Sequence, residues 1–220
     1  MKYLYLCAVC ALLVAAFLKV EKDEKYVPAV ILKGLASACF VALGLLGNPG
    51  GETAKFIVIG LILGMIADVL LNLRFVFSKI GTPVFLVGIL VFLAGHILYL
   101  IALIPRCPGL IWYILAGCVL TFLILKWIFS KISAKKAFKI FGVFYIGAIV
   151  IMNCVALGVL IADPCAHTAV YMAGALFFLV SDVVLILNTF GSETKFSLRI
   201  TNISLYYIGQ LLIALSLQLL

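Results

Sequence analysis

Four ionisable residues, Lys33, Asp68, His96 and Asp182, lie inside runs of apolar residues long enough to cross a lipid bilayer. A charge in hydrocarbon is expensive, so such residues pair with one another, face the protein interior and carry function. Two carboxyl groups beside a lysine and a histidine are the equipment of general acid–base chemistry or of a proton relay. Lys33 lies six residues into its run, Asp68 six before Arg74 and Asp182 seven before Thr189. At 1.5 Å per residue, helices of alternating direction would hold all three roughly 10 Å below one membrane surface. Asn72, Ser181, Asn188, Tyr206, Tyr207 and Gln210 fall near the same level, while His96 is deeper and Tyr99 about a turn further on. His96 with Tyr99 and Tyr206 with Gln210 have the spacing of same-face neighbours. The expectation is a polar cavity floored by His96.

A plainer reading makes Lys33 and one aspartate a structural ion pair between helices. Two carboxylates, a histidine, an amide and two phenols exceed what one such pair requires. Taken singly, His96 could bond a neighbouring backbone carbonyl, and Tyr206 or Tyr207 could anchor at the membrane interface. His167, in a loop between apolar runs, is expected to be solvated.

The elements that must position these residues follow from composition. Only 11% of the chain is charged, 67% is hydrophobic and the mean hydropathy is +1.36, too apolar to coat a water-soluble globule. A spanning helix needs about 20 mainly apolar residues. That ruler predicts eight spans, near 3–19, 27–46, 55–74, 83–104, 109–129, 138–161, 167–189 and 200–220. Turn signals separate them, among them Asn48-Pro49-Gly50-Gly51, Gly81-Thr82-Pro83 and Asp163-Pro164. The run from Tyr3 to Leu18 ends in Lys19-Val20-Glu21-Lys22 rather than in a small-residue cleavage site, so it reads as a helix and not as a signal peptide. The runs are continuously apolar rather than alternating, which excludes a β-barrel. The fold class is all-α, a polytopic membrane bundle forming a single transmembrane domain over 1–220.

The net charge of +8 does not point to nucleic acid, because the basic residues lie between apolar runs and suit anionic lipid headgroups. The odd-numbered loops hold Lys19, Lys22, Lys25, Arg74, Lys79, Lys126, Lys131, Lys135, Lys136, Lys139, Lys195 and Arg199, twelve residues, whereas the even loops and termini hold Lys2, Lys55 and Arg106. The positive-inside rule then places the odd loops in the cytoplasm and both termini outside. Ala67-Asp68-Val69-Leu70-Leu71 is echoed by Ser181-Asp182-Val183-Val184-Leu185 at an offset of 114 residues, which also carries His96 onto Gln210. The echo fits two parallel four-helix repeats, with chance similarity between Val- and Leu-rich helices as the alternative. Of the seven cysteines, five fall in apolar runs and act as small hydrophobes, the C-x-x-C of Cys7 and Cys10 lacks a second ligand pair, and Cys107 and Cys165 could bridge two outer loops. One histidine and two aspartates without a compact ligand motif predict neither metal nor cofactor.

The sequence resembles a known family. Phe85-Leu86-Val87-Gly88, continuing through Phe92 and His96 to Tyr99, is similar to the F-x-x-G, F-x-x-x-H-x-x-Y pattern of the YhhN family of membrane lysoplasmalogenases. Gly174-Ala175-Leu176-Phe177 with Ser181-Asp182, and Tyr206-Tyr207-Ile208-Gly209-Gln210, resemble its two C-terminal motifs, and Asp68 matches the aspartate of its third helix. The likeness is good from about 60 to 215 and weaker over the first two helices. Ala67 and Gly34 depart from it, where the family commonly has Gly and Pro.

The resemblance implies hydrolysis of the vinyl ether bond of lysoplasmalogens to a fatty aldehyde and a glycerophospho alcohol, with a lysophospholipid or other ether lipid as substrate. Vinyl ethers hydrolyse by protonation at carbon, giving an oxocarbenium ion that water captures. A general acid, a group that orients water and negative charge beside the cation meet that need, much as paired carboxylates serve glycosidases. Asp68 and Asp182 are the expected acid and base, in an order the sequence leaves open. Lys33, Asn72, Ser181, Tyr206, Tyr207 and Gln210 would support them, and His96 with Tyr99 would share proton traffic or bind the headgroup phosphate. A single-chain amphiphile would enter sideways from the inner leaflet. The rival reading is a small proton-coupled transporter that uses the same Asp, His and Lys residues.

Overall fold

A computed structural model describes residues 3–220, the side chain of Ala137 excepted; Lys2, counted above among the outer charges, lies outside the described residues. Eight helices follow in order: α1 (Tyr5–Lys22), α2 (Tyr26–Gly47), α3 (Glu52–Val76), α4 (Gly81–Leu103), α5 (Leu110–Lys131), α6 (Lys136–Ala162), α7 (Ala166–Phe190) and α8 (Phe196–Ser216). Short 3-10 turns occupy Ser78–Ile80, Ile104–Arg106 and Leu217–Leu219. Among the described residues there is no strand, as expected where each backbone group must be satisfied within its own segment.

Among the described residues, seven helices are long and apolar enough to cross a membrane. The exception is α1, whose 18 residues include Lys19, Glu21 and Lys22 in the last turn. Breaks fall where the chain cannot continue a helix. Gly50 and Gly51 between α2 and α3 take φ of 90° and 91°, a conformation that disfavours a side chain, and Asn48 Oδ1 accepts from the Gly50 N–H at 2.8 Å.

The helices run up and down. Glu21 pairs with Arg199, the Ser133 N–H donates to the Phe190 carbonyl, and Phe85 packs on Phe138, so the odd connections gather at one end of the bundle. Arg106 pairs with Asp163 at the other end, where His167 Nδ1–H also donates to the Ser216 carbonyl at 2.8 Å. His167 is therefore a buried strut joining α7 to the end of α8, not the solvated loop residue expected. The Cys107–Cys165 bridge is also absent: all seven cysteines are free, Cys107 buried beside Gly158 and Cys165 at the N-terminus of α7 with Thr168.

The 114-residue echo has a counterpart in packing. A Cβ at Gly95 of α4 would lie 3.2 Å from the Gly60 carbonyl oxygen of α3, and one at Gly209 of α8 would lie 2.9 Å from that of Gly174 of α7. Both glycines of the second pair stand 114 residues after those of the first. Small residues let membrane helices approach backbone to backbone, and each half uses the same pair of positions to do so. The contacts between halves match too, α2 packing on α8 as α6 packs on α4. Outside, α5 turns Trp112 and Phe122, 72% and 66% exposed, toward what must be lipid.

Candidate functional site

Six helices surround a cavity of about 110 Å³ at the basic end of the bundle. A single water takes roughly 10–15 Å³ on this measure, so the space holds several. Its polar lining is Lys33, Asp68, Asn72, Arg74, Tyr145, Asp182, Thr189, Arg199, Asn202 and Tyr206, set among phenylalanines and aliphatic side chains. The two carboxylates thus reach one space from α3 and α7.

Their surroundings differ. Asp68 Oδ1 meets the Lys33 ammonium at 3.1 Å, and Oδ2 accepts from Ser37 Oγ at 2.7 Å and from the Tyr206 hydroxyl at 2.6 Å. Lys33 also donates to Asn72 Oδ1 at 3.3 Å, one turn after Asp68 on α3, and lies over the Phe17 ring. Ser37 follows Lys33 by one turn of α2, so one helix face supplies both donors. Asp182 has no cation beside it. Tyr145 of α6 donates to its Oδ2 at 2.7 Å, and Oδ1 has no hydrogen-bond partner among the described residues. Asp68 is a fully bonded carboxylate in an ion pair; Asp182 is a carboxyl group with one oxygen free toward the cavity.

Behind Asp68 runs a hydrogen-bonded chain. The Tyr171 hydroxyl donates to the Tyr99 carbonyl, the Tyr99 hydroxyl to Gln210 Oε1 at 2.8 Å, and Gln210 Nε2 reaches the Tyr206 oxygen at 3.5 Å. Tyr99 and Gln210 thus brace the phenol that holds Asp68 and do not line the cavity. Tyr207 donates to the Lys33 carbonyl at 3.1 Å and lies 3.0 Å from Ser37 Oγ. Ser181 is a staple between helices: its Oγ donates to the Asn202 carbonyl, and Asn202 Nδ2 returns bonds to Ser181 Oγ and O.

His96 does not floor the cavity. Phe92 and Tyr145 stand in front of it, and its ring is enclosed by Phe92, Tyr99, Tyr145 and Phe178. Its Nδ1–H donates to the Phe92 carbonyl at 2.8 Å, leaving buried Nε2 without a partner among the described residues. Ser37, Tyr145, Arg74, Arg199 and Asn202 were not singled out from sequence. Ser37 had a signal, one turn from Lys33. Tyr145 had none beyond a phenol in mid-span, and the arginines read as loop charges.

At the rim, Arg199 Nε and Nη2 grip both oxygens of Glu21, at 3.0 and 2.8 Å, and Nη1 reaches Asn202 Oδ1 at 3.4 Å. Burial opposes the Glu21 charge, but this guanidinium, helped by the charges of Lys33 and Arg74, more than offsets it and holds the carboxyl below its ordinary pKa.

The model of the YhhN family matches residues 28–217, which include every residue that lines the cavity. The chain belongs to the YhhN family. Comparison with curated proteins and with solved structures returned no significant match. Within this YhhN chain the family match begins in α2 and leaves out α1, whose Phe17 and Glu21 nevertheless touch Lys33 and Arg199.

Proposed function

We propose that this protein hydrolyses the vinyl ether bond of a single-chain ether lipid, a lysoplasmalogen, inside the membrane. The observation that carries the reading is the inequivalence of two carboxyl groups facing one largely apolar cavity. Hydrolysis of a vinyl ether needs a proton donor and a fixed negative charge, and Asp182 and Asp68 supply one each.

Asp182 is the acid. With no cation to offset a negative charge and its Oδ1 open to the cavity, it presents a proton to the outer carbon of the double bond. The carbon bound to oxygen becomes an oxocarbenium ion, and Asp68, in its ion pair with Lys33, stabilises it. Water adds to that carbon and gives its proton to the Asp182 carboxylate, restoring the acid as in retaining glycosidases. The hemiacetal then collapses to a fatty aldehyde and the free glycerol hydroxyl, so the net change is addition of one water across the cleaved bond. With the odd connections in the cytoplasm, the lipid enters from the inner leaflet.

A second cavity of about 40 Å³ between α5, α6 and α7, apolar except for Lys139, shares Phe138, Gly142, Ile186 and Phe190 with the first, and a Cβ at Gly142 would meet nothing within 4 Å. A lining made mostly of aliphatic and phenyl side chains suits a hydrocarbon tail. Purified protein in detergent tests the reading when given vinyl-ether, saturated alkyl-ether and acyl lysolipids. Aldehyde from the vinyl ether alone is the expected result; no aldehyde, or release of fatty acid instead, contradicts it.

A further inference from the structure

Ion pairing around the cavity is incomplete. Lys33 is paired with Asp68 and Arg199 with Glu21, while Asp182 has only a phenol. Arg74 remains. It has no carboxylate partner among the described residues, and its Nε is buried without a hydrogen-bond acceptor. Its guanidinium lies over two phenyl rings, 4.5 Å from the Phe75 centroid and 4.3 Å from that of Phe85. Such stacking holds the planar fork in place and leaves its edge free for an anion. Beside it on the same lining stand Arg199 and the amides of Asn72 and Asn202.

We infer that Arg74, flanked by Arg199, is the subsite for the phosphate diester of a single-chain phospholipid. With Asp182 holding its proton as the acid, Arg74 is the one cation of the lining without an ion pair among the described residues, and a diester carries one negative charge to match it. The headgroup lies at the basic end of the bundle, where anionic groups of the membrane surface are found, and the tail runs toward Gly142 and the second cavity. Arg74 is six residues beyond Asp68, about 9 Å along α3. An arginine side chain and a glycerol backbone together bridge that distance. The assignment takes over the headgroup role that sequence alone suggested for His96, which is enclosed by rings.

This inference rests on the hydrolase reading for the class of lipid, but its test does not need turnover. The probe is a saturated alkyl-ether glycerophosphocholine, compared by calorimetry with the alkylglycerol of the same tail and with inorganic phosphate, on full-length protein in uncharged detergent. The phospholipid is expected to bind wild type at least tenfold more tightly than the alkylglycerol. Arg74→Gln should remove that advantage and leave alkylglycerol binding unchanged, which also shows that the variant is folded; Arg74→Lys should keep part of it. Arg74→Gln binding the phospholipid as wild type does, or losing both lipids equally, overturns the inference. Saturable binding of inorganic phosphate without any advantage for the phospholipid overturns the headgroup assignment in favour of a free ion. Aldehyde release from a vinyl ether is scored separately, so failure of the subsite and failure of the hydrolase reading are told apart.

Discussion

Replacing Asp68 by Asn separates the structural from the chemical role of the buried pair. The amide can still accept from Ser37 and Tyr206, but it turns an N–H₂ toward Lys33, which keeps only Asn72 Oδ1 at 3.3 Å. Removing one partner of a buried pair costs about 3–5 kcal/mol, and in a chain of this size about 1 kcal/mol moves Tm by about 2–4 °C. The expected fall is thus roughly 6–20 °C for Asp68→Asn. Lys33→Met should cost less, because two hydroxyl donors remain on the Asp68 carboxylate. The double variant Lys33→Met, Asp68→Asn removes both charges and should return to within about 2 kcal/mol of wild type. Thermal unfolding followed by intrinsic fluorescence in detergent measures the cycle, and aldehyde release measures activity. Recovered stability without activity is expected. Additive losses in the double variant would show that the two groups are not coupled, and an active double variant would show that the Asp68 charge has no part in the chemistry.

Three further outcomes follow from particular contacts. Tyr145→Phe removes the one bond to Asp182, a bond that becomes charge-assisted as the proton leaves; a loss of about 1 kcal/mol should lower kcat roughly five- to tenfold with KM unchanged, as steady-state kinetics would show. Gly142→Leu should fill open space beside Gly142, which lines both cavities. Excluding about three methylenes at about 0.8 kcal/mol each should shift the preference from long to short chains roughly 50-fold, measured by competition between chain lengths. Cys165 is exposed, and bonds from Thr168 hold its thiol below the ordinary pKa, so its thiolate forms readily. A membrane-impermeant maleimide should label it in intact cells if the even connections face outward, and labelling should vanish in Cys165→Ser; labelling only after lysis would reverse the topology.

Much of the fold was legible because length and apolarity alone define a spanning helix. Each predicted span ends within four residues of the helix that forms there. The longitudinal positions of Lys33, Asp68 and Asp182 were legible for the same reason, as rise per residue is constant. What depends on helix rotation was not. Depth alone could not tell that Tyr145 turns toward Asp182, that His96 turns into a ring cage behind Phe92, or that Ser181 turns toward Asn202. Arg74 and Arg199 lie at helix ends where positive charge also serves topology, so their part in the cavity was masked by a sufficient simpler reason. His167 was misread because the carbonyl that buries it comes from Ser216, 49 residues away.

Asp182→Asn is the most direct test, since the amide keeps the shape and the Tyr145 bond while losing the proton. Wild type and variant are loaded with a vinyl-ether lysolipid and followed through a single turnover, with lipid binding measured in parallel by calorimetry. Binding within about twofold of wild type and aldehyde release slowed by at least about 100-fold are expected. Aldehyde released by Asp182→Asn at the wild-type rate would contradict the assignment of this carboxyl group as the proton donor.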